Sequence, residues 1–507
     1  VKTNVFILVL LLVASFAQSA EAGDNVLWVE NGVPVNTIED LHLRPELVSD
    51  GSGGAIITWG DGIRAQRVDA NGDTLWPGSV YIAGGYFPKL VGDGLGGAII
   101  AWDEPPWGSC DVYAQRVDAN GNVLWLTGGI PVCTATNQQA YHQIVSAGNG
   151  GFIIAWQDSR SGDYDIYAQR VDTSGSVTWT ADGEPICTAA GDQTSPQIAA
   201  DNSGGAIITW VDEEGYVDDI YAQRVDASGN ALWTADGEPI CTATGEQWYP
   251  QIVSDGSEGA VITWCDDRNG YGESDIFTQR VDADGSVLWL ADGVPVCAAA
   301  SDQHYPEMVS DGLGGAVIAW MDYRNGIASD IYAQRVDVNG LVRWTSDGEP
   351  ICIATGGQWD HKITSDGSGG GIIAWLDYRN TDIHNDYNVY AQRIDVYGRA
   401  FMPTNGEPVC TAVDSQYAPN IVSDGSGGAI ITWEDFRTHF IGINDIYAQR
   451  IHFDPAPQIA SIADVPQDQG RQVAIIWDRS YLDEPEYQVI GEYSIWRKYP
   501  EGMKWLG

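Results

Sequence analysis

One phrase recurs eight times along this chain, and it restricts the folds open to it more than any other feature. The fullest copy reads Pro196-Gln-Ile-Ala-Ala-Asp201, Gly204-Gly-Ala-Ile-Ile-Thr-Trp210, Asp219-Ile-Tyr-Ala-Gln-Arg224-Val-Asp226 and Ala231-Leu-Trp233. The tryptophan of the second segment returns at Trp59, Trp102, Trp156, Trp210, Trp264, Trp320, Trp375 and Trp433, a period of about 54 residues. A unit of that length cannot bury its apolar faces alone and must stack on its neighbours.

Each copy holds four short segments rich in β-branched and aromatic residues, separated by turn signals. In the fourth copy they are Gln197–Ala200, Ala206–Trp210, Ile220–Val225 and Ala231–Trp233. Asp201-Asn-Ser-Gly-Gly205 and Asp226-Ala-Ser-Gly229 supply the Asp/Gly chemistry of tight hairpins. No 3.6-residue periodicity appears, and 60 glycines argue against a helical solenoid. Four-stranded units, apolar on both faces and evenly spaced, predict an all-β fold, an eight-bladed β-propeller over 23–454. The fourth-strand tryptophans run one step ahead of the rest: Trp28, Trp76, Trp125, Trp179, Trp233, Trp289 and Trp344, with Phe401 as a degenerate eighth. The last unit, ending at Gln449-Arg450-Ile451, has no such segment after it, so an N-terminal strand around Asn25–Val29 is expected to close the ring and remove a free edge.

The flanks differ from the repeats. Residues 1–22 read as a secretory signal peptide: Lys2, an apolar run from Val5 to Ala17, and Ala20-Glu-Ala22 as a small-x-small cleavage site. No later stretch reaches the roughly 20 apolar residues of a membrane span. A secreted or cell-surface protein, monomeric and without a membrane span, is expected. After Asp454-Pro-Ala-Pro457 the pattern changes, and residues 458–466, 472–477 and 493–497 read as three strands of a β-sandwich in the segment 455–507.

The formal net charge is −45, from 70 acidic against 25 basic residues. Such a field repels phosphate backbones and excludes nucleic acid as a partner. Six of the eight cysteines, Cys133, Cys187, Cys241, Cys297, Cys352 and Cys410, share one repeat position in Gly-x-Pro-(Ile/Val)-Cys. Equivalent places in neighbouring blades lie beyond the roughly 4.4–6.8 Å Cα separation of a disulfide, so these six read as small buried hydrophobes. Cys241–Cys265 and Cys110–Cys133 remain as within-blade pairs to examine.

Trp156-Gln-Asp158-Ser-Arg160-Ser-Gly-Asp-Tyr-Asp165-Ile-Tyr167 resembles phrases of secreted bacterial propellers of the sialidase-like (BNR) type. The Ser-x-Asp-x-Gly-x-Thr-Trp box of sialidases is missing, and no arginine triad or tyrosine–glutamate pair stands in a unique position. Val117-Asp-Ala-Asn-Gly-Asn-Val-Leu-Trp125 is similar to the tryptophan-docking motif of quinoprotein propellers, which implies a tryptophan wedged between blades. The vicinal cysteines of those enzymes are absent, so no cofactor is carried over. The C-terminal segment resembles the opening half of a fibronectin type III domain, with Trp477 and Tyr493 at its core positions. It covers about half of such a module, as a truncated frame would.

Repetition separates scaffold from chemistry. Asp158/Arg160, Asp266/Arg268, Asp322/Arg324, Asp377/Arg379 and Asp435/Arg437 recur at one position, as do the strand arginines from Arg67 to Arg450, so both sets read as structural. Asp282-Ala-Asp284-Gly285 has oxygen ligands at calcium-like spacing but no twelfth-position glutamate, and its copies are turns. Seven scattered histidines form no zinc set, and neither a metal nor a catalytic group is assigned. The loops between second and third strands, and those leading into each first strand, emerge on one face, where propellers place recognition. That face carries Tyr86-Phe87, Tyr141, Trp248-Tyr249, His304-Tyr305, Trp359 and Tyr417. Trp248, Tyr249, His304, Tyr305 and Trp359, with Tyr271, Glu273 and Asp382 beside them, form the expected ligand site. Flat rings beside acidic acceptors suit a neutral or cationic saccharide and disfavour an anionic sialoside. Two functions follow: a secreted non-catalytic binding or scaffold protein for a glycan or a cell-surface protein, or a sialidase-like glycoside hydrolase or lyase. An enzyme of that kind needs two carboxylates roughly 5–9.5 Å apart facing the channel.

Overall fold

A computed structural model describes residues 25–37, 42–60, 62–105, 108–148, 150–214, 217–270, 272–326, 328–379, 386–437 and 444–452, and the strands 461–464, 473–476, 496–499 and 502–505. Every regular element among them is a strand. Eight four-stranded antiparallel sheets follow one another, the first seven spanning 43–83, 86–133, 139–187, 192–241, 247–297, 303–352 and 358–410. The eighth joins Gln416–Ser423, Ala429–Asp435 and Asp445–Ile451 to Val33–Asn36 from the start of the chain. The first strand of each blade packs beside the first strand of the next, and that of the first blade beside that of the eighth. The result is a closed eight-bladed β-propeller.

The second strand of each blade explains the stacking. Ala206, Ile207, Ile208 and Trp210 are fully buried because both faces of the sheet are covered, one by each neighbouring blade. Apolar clusters accordingly span blades: Ile153, Ala155 and Ile166 of the third join Ile208 and Trp210 of the fourth. Among the described residues the core is a sequence of layers between sheets.

The tight turns work as their residues suggest. Asp201 Oδ1 accepts the amides of Ser203 and Gly205, both at 2.8 Å, and Asp226 Oδ1 those of Ser228 at 2.8 Å and Asn230 at 3.0 Å. Trp179 Nε1 donates to the Ala227 carbonyl of the following blade at 3.1 Å. Gly229 has φ +87°, and a Cβ there would stand 3.0 Å from that indole, so this turn takes glycine for both conformation and space.

Docking the indole moves the outer strand. Around Trp233 the chain makes a single bridge, Val225 to Ala231, and then rejoins the ladder at Glu238–Cys241. The fourth strand is therefore the Gly-x-Pro-(Ile/Val)-Cys segment and not Ala231–Trp233, because an indole turned onto the next blade pulls its backbone out of register. The same correction applies at the N-terminus, where Val33–Asn36 pairs with Asp445–Ile451 and only Val26 of the expected 25–29 strand makes a bridge, to Ile451. Trp28 still takes its blade's docking place: its amide donates to Gln449 Oε1 and its Nε1 to the Ala70 carbonyl, each at 3.0 Å. Phe401 does not. Met402 carries the equivalent amide bond, to Gln392 Oε1 at 2.8 Å, and is buried. In sequence, the segment after Ile451, His452-Phe-Asp-Pro455, lacks the Asp-x-x-Gly on which the tryptophans of the other blades dock.

All eight cysteines are free and buried. Cys241 closes the fourth blade and Cys265 lies in the fifth, so that pair is not within a blade, and Cys110 and Cys133 form no disulfide although they share one. Residues 453–507 form a second compact unit. Within it Ser461–Asp464 pairs with Val473–Ile476, and Trp496–Tyr499 with Gly502–Trp505. Three of these strands overlap the expected segments 458–466, 472–477 and 493–497; Trp477 and Tyr493, like residues 1–22, lie outside the described residues.

Candidate functional site at the mouth of the ring

The recurrent charged pairs are latches between blades. Asp158 Oδ2 accepts Trp156 Nε1 at 2.8 Å and the Arg160 guanidinium at 2.5 Å. Arg160 also reaches Cys133 Sγ of the preceding blade at 3.2 Å and lies 3.9 Å from the centre of the Tyr167 ring. The latch repeats at Arg268, Arg324, Arg379 and Arg437. Burial pushes the Cys133 thiol up to about 12, so these cysteines stay protonated. The strand arginines do related work, as Arg224 does by holding Asp201 at 3.0 Å while donating to the Ala283 carbonyl of the next blade at 3.1 Å.

With those groups assigned to scaffold, the first strands remain. Each is interrupted after its first residues by a register shift, as between Trp248 and Gln251. The bulge residue is left-handed in all eight blades: Arg44 (φ 53°), Phe87 (54°), Tyr141 (55°), Ser195 (54°), Tyr249 (53°), Tyr305 (55°), Asp360 (48°) and Ala418 (47°). Proline follows it six times and histidine twice, at His142 and His361. Bulky residues rarely adopt this conformation, so a strained position repeated around the ring must be held by the surrounding sheet. Its effect is to turn eight dissimilar side chains onto the rim of one face. Tyr141, Tyr249 and Tyr305 are exposed there by 67%, 44% and 48% of their surface. Tyr249 and Tyr305 lie 4.8 Å apart between ring centres, and the Arg44 guanidinium sits 4.5 Å above Phe87. Burial, then the contact with Tyr305, raises the Tyr249 hydroxyl to about 12.

Two residues further on, a polar ring lines the strands. Lys89 Nζ meets Glu46 Oε1 at 2.5 Å, Asn420 donates to Glu46 Oε2 at 2.8 Å, and Lys362 pairs with Glu307. Burial works against the Lys362 charge, but the Glu307 carboxylate outweighs it and holds the ammonium protonated. His142 Nδ1 binds Asp103 Oδ1 at 2.6 Å, and burial depresses His361 to about 4, which keeps it neutral. Burial, chiefly, raises Asp360 above the usual carboxylate range.

The expected site is divided by this geometry. Tyr249 and Tyr305 are rim residues. Trp248, His304 and Trp359 precede the bulge, in ladder positions opposite Cys265, Met321 and Leu376. Trp248 is half-buried and packs against the cluster of Val261, Cys265 and Met308. His304 lies 3.8 Å from Asp302 and edge-on to Tyr323, with burial lowering its basicity. Trp359 is 37% exposed. Glu273 sits on an exposed loop, its amide bonded to the Gly270 carbonyl at 3.2 Å, while Tyr271 and Asp382 lie outside the described residues. Arg44 and Asp360 were missed. Their signal was position: each immediately precedes the proline or histidine that marks the bulge. Among the described residues no group of three or more His, Cys, Asp or Glu could hold a metal, and no helix is long and apolar enough to cross a membrane.

No family model and no curated protein matches the chain. Among solved structures it is similar to a polysaccharide lyase (11% identity over 76% of this chain and 93% of that one, TM-score 0.44). An ulvan lyase gives 10% identity over 84% and 95%, TM-score 0.43. An α-L-arabinanase of Penicillium chrysogenum gives 9% over 62% and 93%, TM-score 0.35. Matches of this identity and overlap carry no information about substrate or chemistry.

Proposed function

We propose that this protein is an exported, non-catalytic carbohydrate-binding propeller whose ligand lies across the rim of the first-strand face. The observation that carries the reading is the repeated left-handed position, which exposes Tyr141, Tyr249 and Tyr305 on one rim and sets two of those rings in contact. Aromatic faces stack on sugar C–H surfaces at small entropic cost, since a tyrosine has few rotamers to lose. Asp360 is the one carboxylate among the eight rim residues and supplies an acceptor for sugar hydroxyls.

The same arrangement argues against glycoside hydrolysis, which needs two free carboxylates flanking the bond. Glu46 and Glu307, the acids of the polar ring below, are each engaged by a lysine. The test is an oligosaccharide array probed with the wild-type chain and with a Tyr249→Ala/Tyr305→Ala variant. Binding should weaken at least tenfold in the variant, a loss of about 1.4 kcal/mol, with melting nearly unchanged. Release of shortened or unsaturated products from any array hit would favour the hydrolase or lyase reading instead.

A further inference from the structure

Arg44 breaks the charge economy of this molecule. Nearly every other arginine described above is committed to a carboxylate at bonding distance, whereas among the described residues the Arg44 guanidinium has no hydrogen bond and no ion pair; Glu434 and Asp360 act on its charge only from beyond that distance, and its backbone amide is bonded to Glu434 Oε1 at 2.7 Å. Its side chain is exposed, held over Phe87, and forms one wall of a cavity of about 450 Å³ between the first three blades. That volume falls within the range of small-molecule sites. Lys89, Gln138, Tyr141 and His142 line the same cavity. Its two carboxylates are already satisfied, Glu46 by Lys89 and Asn420, and Asp103 by His142. An unpaired guanidinium in a concave site, on a chain whose net charge is −45, is an unusual place to leave a cation. Beside it stand amide donors from Gln138 and Gln143 and an exposed tyrosine ring.

We propose that this cavity is a subsite for an acidic sugar, a hexuronate unit whose carboxylate pairs with Arg44 while its ring lies against Tyr141. The inference rests on the carbohydrate reading above and sharpens it to a ligand class. Arginine is suited to the task, because its planar fork matches a carboxylate through two parallel hydrogen bonds. Stacking on Phe87 pre-orders the guanidinium without neutralising it. The strongly negative surface elsewhere does not forbid this, since fields are screened beyond about 8 Å at physiological salt.

The experiment is an NMR titration at 150 mM salt with D-glucuronate and with D-glucose, using the full chain. The wild type should bind glucuronate about tenfold more tightly than glucose. Arg44→Gln should erase that preference, and Arg44→Lys should keep part of it. Equal binding of the two sugars by the wild type, or unchanged glucuronate binding by Arg44→Gln, would overturn the proposal. A thermal melt of each variant separates loss of the subsite from loss of fold. The rim reading fails separately: if no oligosaccharide engages Tyr249 and Tyr305 yet glucuronate binding still depends on Arg44, the subsite stands and the extended site falls.

Discussion

Arg170 and Ala147 form a mismatched pair: the Nε of the arginine is buried with no hydrogen-bond partner because alanine occupies the position of its carboxylate. In the other seven blades that place is Asp50, Asp93, Asp201, Asp255, Asp311, Asp366 or Asp424, each bound to its strand arginine at 2.7–3.0 Å. The same aspartates also cap their turns, whereas in the third blade the Gly151 amide falls back on the Gly148 carbonyl at 3.2 Å. Ala147→Asp should therefore stabilise the protein by about 1–2 kcal/mol, the worth of a charge-assisted hydrogen bond and a restored cap. Asp93→Ala should do the reverse and cost about 3 kcal/mol, since it strands Arg116. Denaturant unfolding of both variants checks the signs; a neutral or destabilising Ala147→Asp would mean that the third blade has relaxed around its alanine.

Ring closure gives a second expectation. Residues 33–36 supply the outer strand of the eighth blade, and Trp28 packs with Ile430, Ile446 and Ile57. Deleting residues 23–36 exposes the edge of the Asp445–Ile451 strand, with its unpaired amides and carbonyls, to other chains. Light scattering should show association, and the melting temperature should fall by several degrees. A monomeric deletion variant with unchanged melting would show that the ring does not depend on this strand.

The thiols offer a third. Eight buried cysteines, with Cys265 fully enclosed and Cys410 raised to about 12 first by burial and then by Asp435, leave no thiolate to react. A disulfide-exchange reagent at pH 8 should label none of them in the native protein and all eight after denaturation. Reductant should leave the melting temperature where it was. Fewer than eight thiols in the denatured, unreduced protein would reveal a bond.

The repeat made the blades legible, because a pattern written eight times averages out the ambiguity of any single strand. It misplaced the fourth strand for a physical reason. Trp233 looks like a strand residue, yet its indole belongs to the next blade, and a sequence shows a side chain's type without its direction. Phe401 was read for its aromaticity where Met402 holds the register, which only the Gln392 bond reveals. At the candidate site the aromatic residues were visible, and the bulge was not. Trp248 and Tyr249 look interchangeable in sequence, but a left-handed φ puts one in the interblade layer and the other on the rim. Arg44 carried no compositional signal at all, since what distinguishes it is its place over Phe87 on the wall of a cavity that only the fold assembles.

Stability should pass through a maximum in mildly acidic solution. Burial, then repulsion from Glu213 and Glu246, raises Asp218 to about 6, and burial raises Asp275 to about 6 as well. For a carboxyl raised in the folded state, the native protein binds more protons than the unfolded chain between the unfolded value of 3.8 and about 6. The stabilisation these groups give is complete below that window and is lost as pH rises through it. Asp201 and Asp424 act in the opposite sense. Although burial works against their charge, turn amides, serine hydroxyls and strand arginines together hold both carboxyls below 3.8, so the stability they give is lost as pH falls. Lowering the pH from 7.5 to about 5 should raise the melting temperature, and lowering it further should reduce it as those paired carboxylates take up protons. Asp218→Asn removes one of the raised groups and should flatten the rise between pH 5 and 7 while leaving the acid limb in place. A melting temperature that falls steadily from neutral pH, or an Asp218→Asn profile that overlays the wild type, would mean that these two carboxyls are solvated in the folded protein.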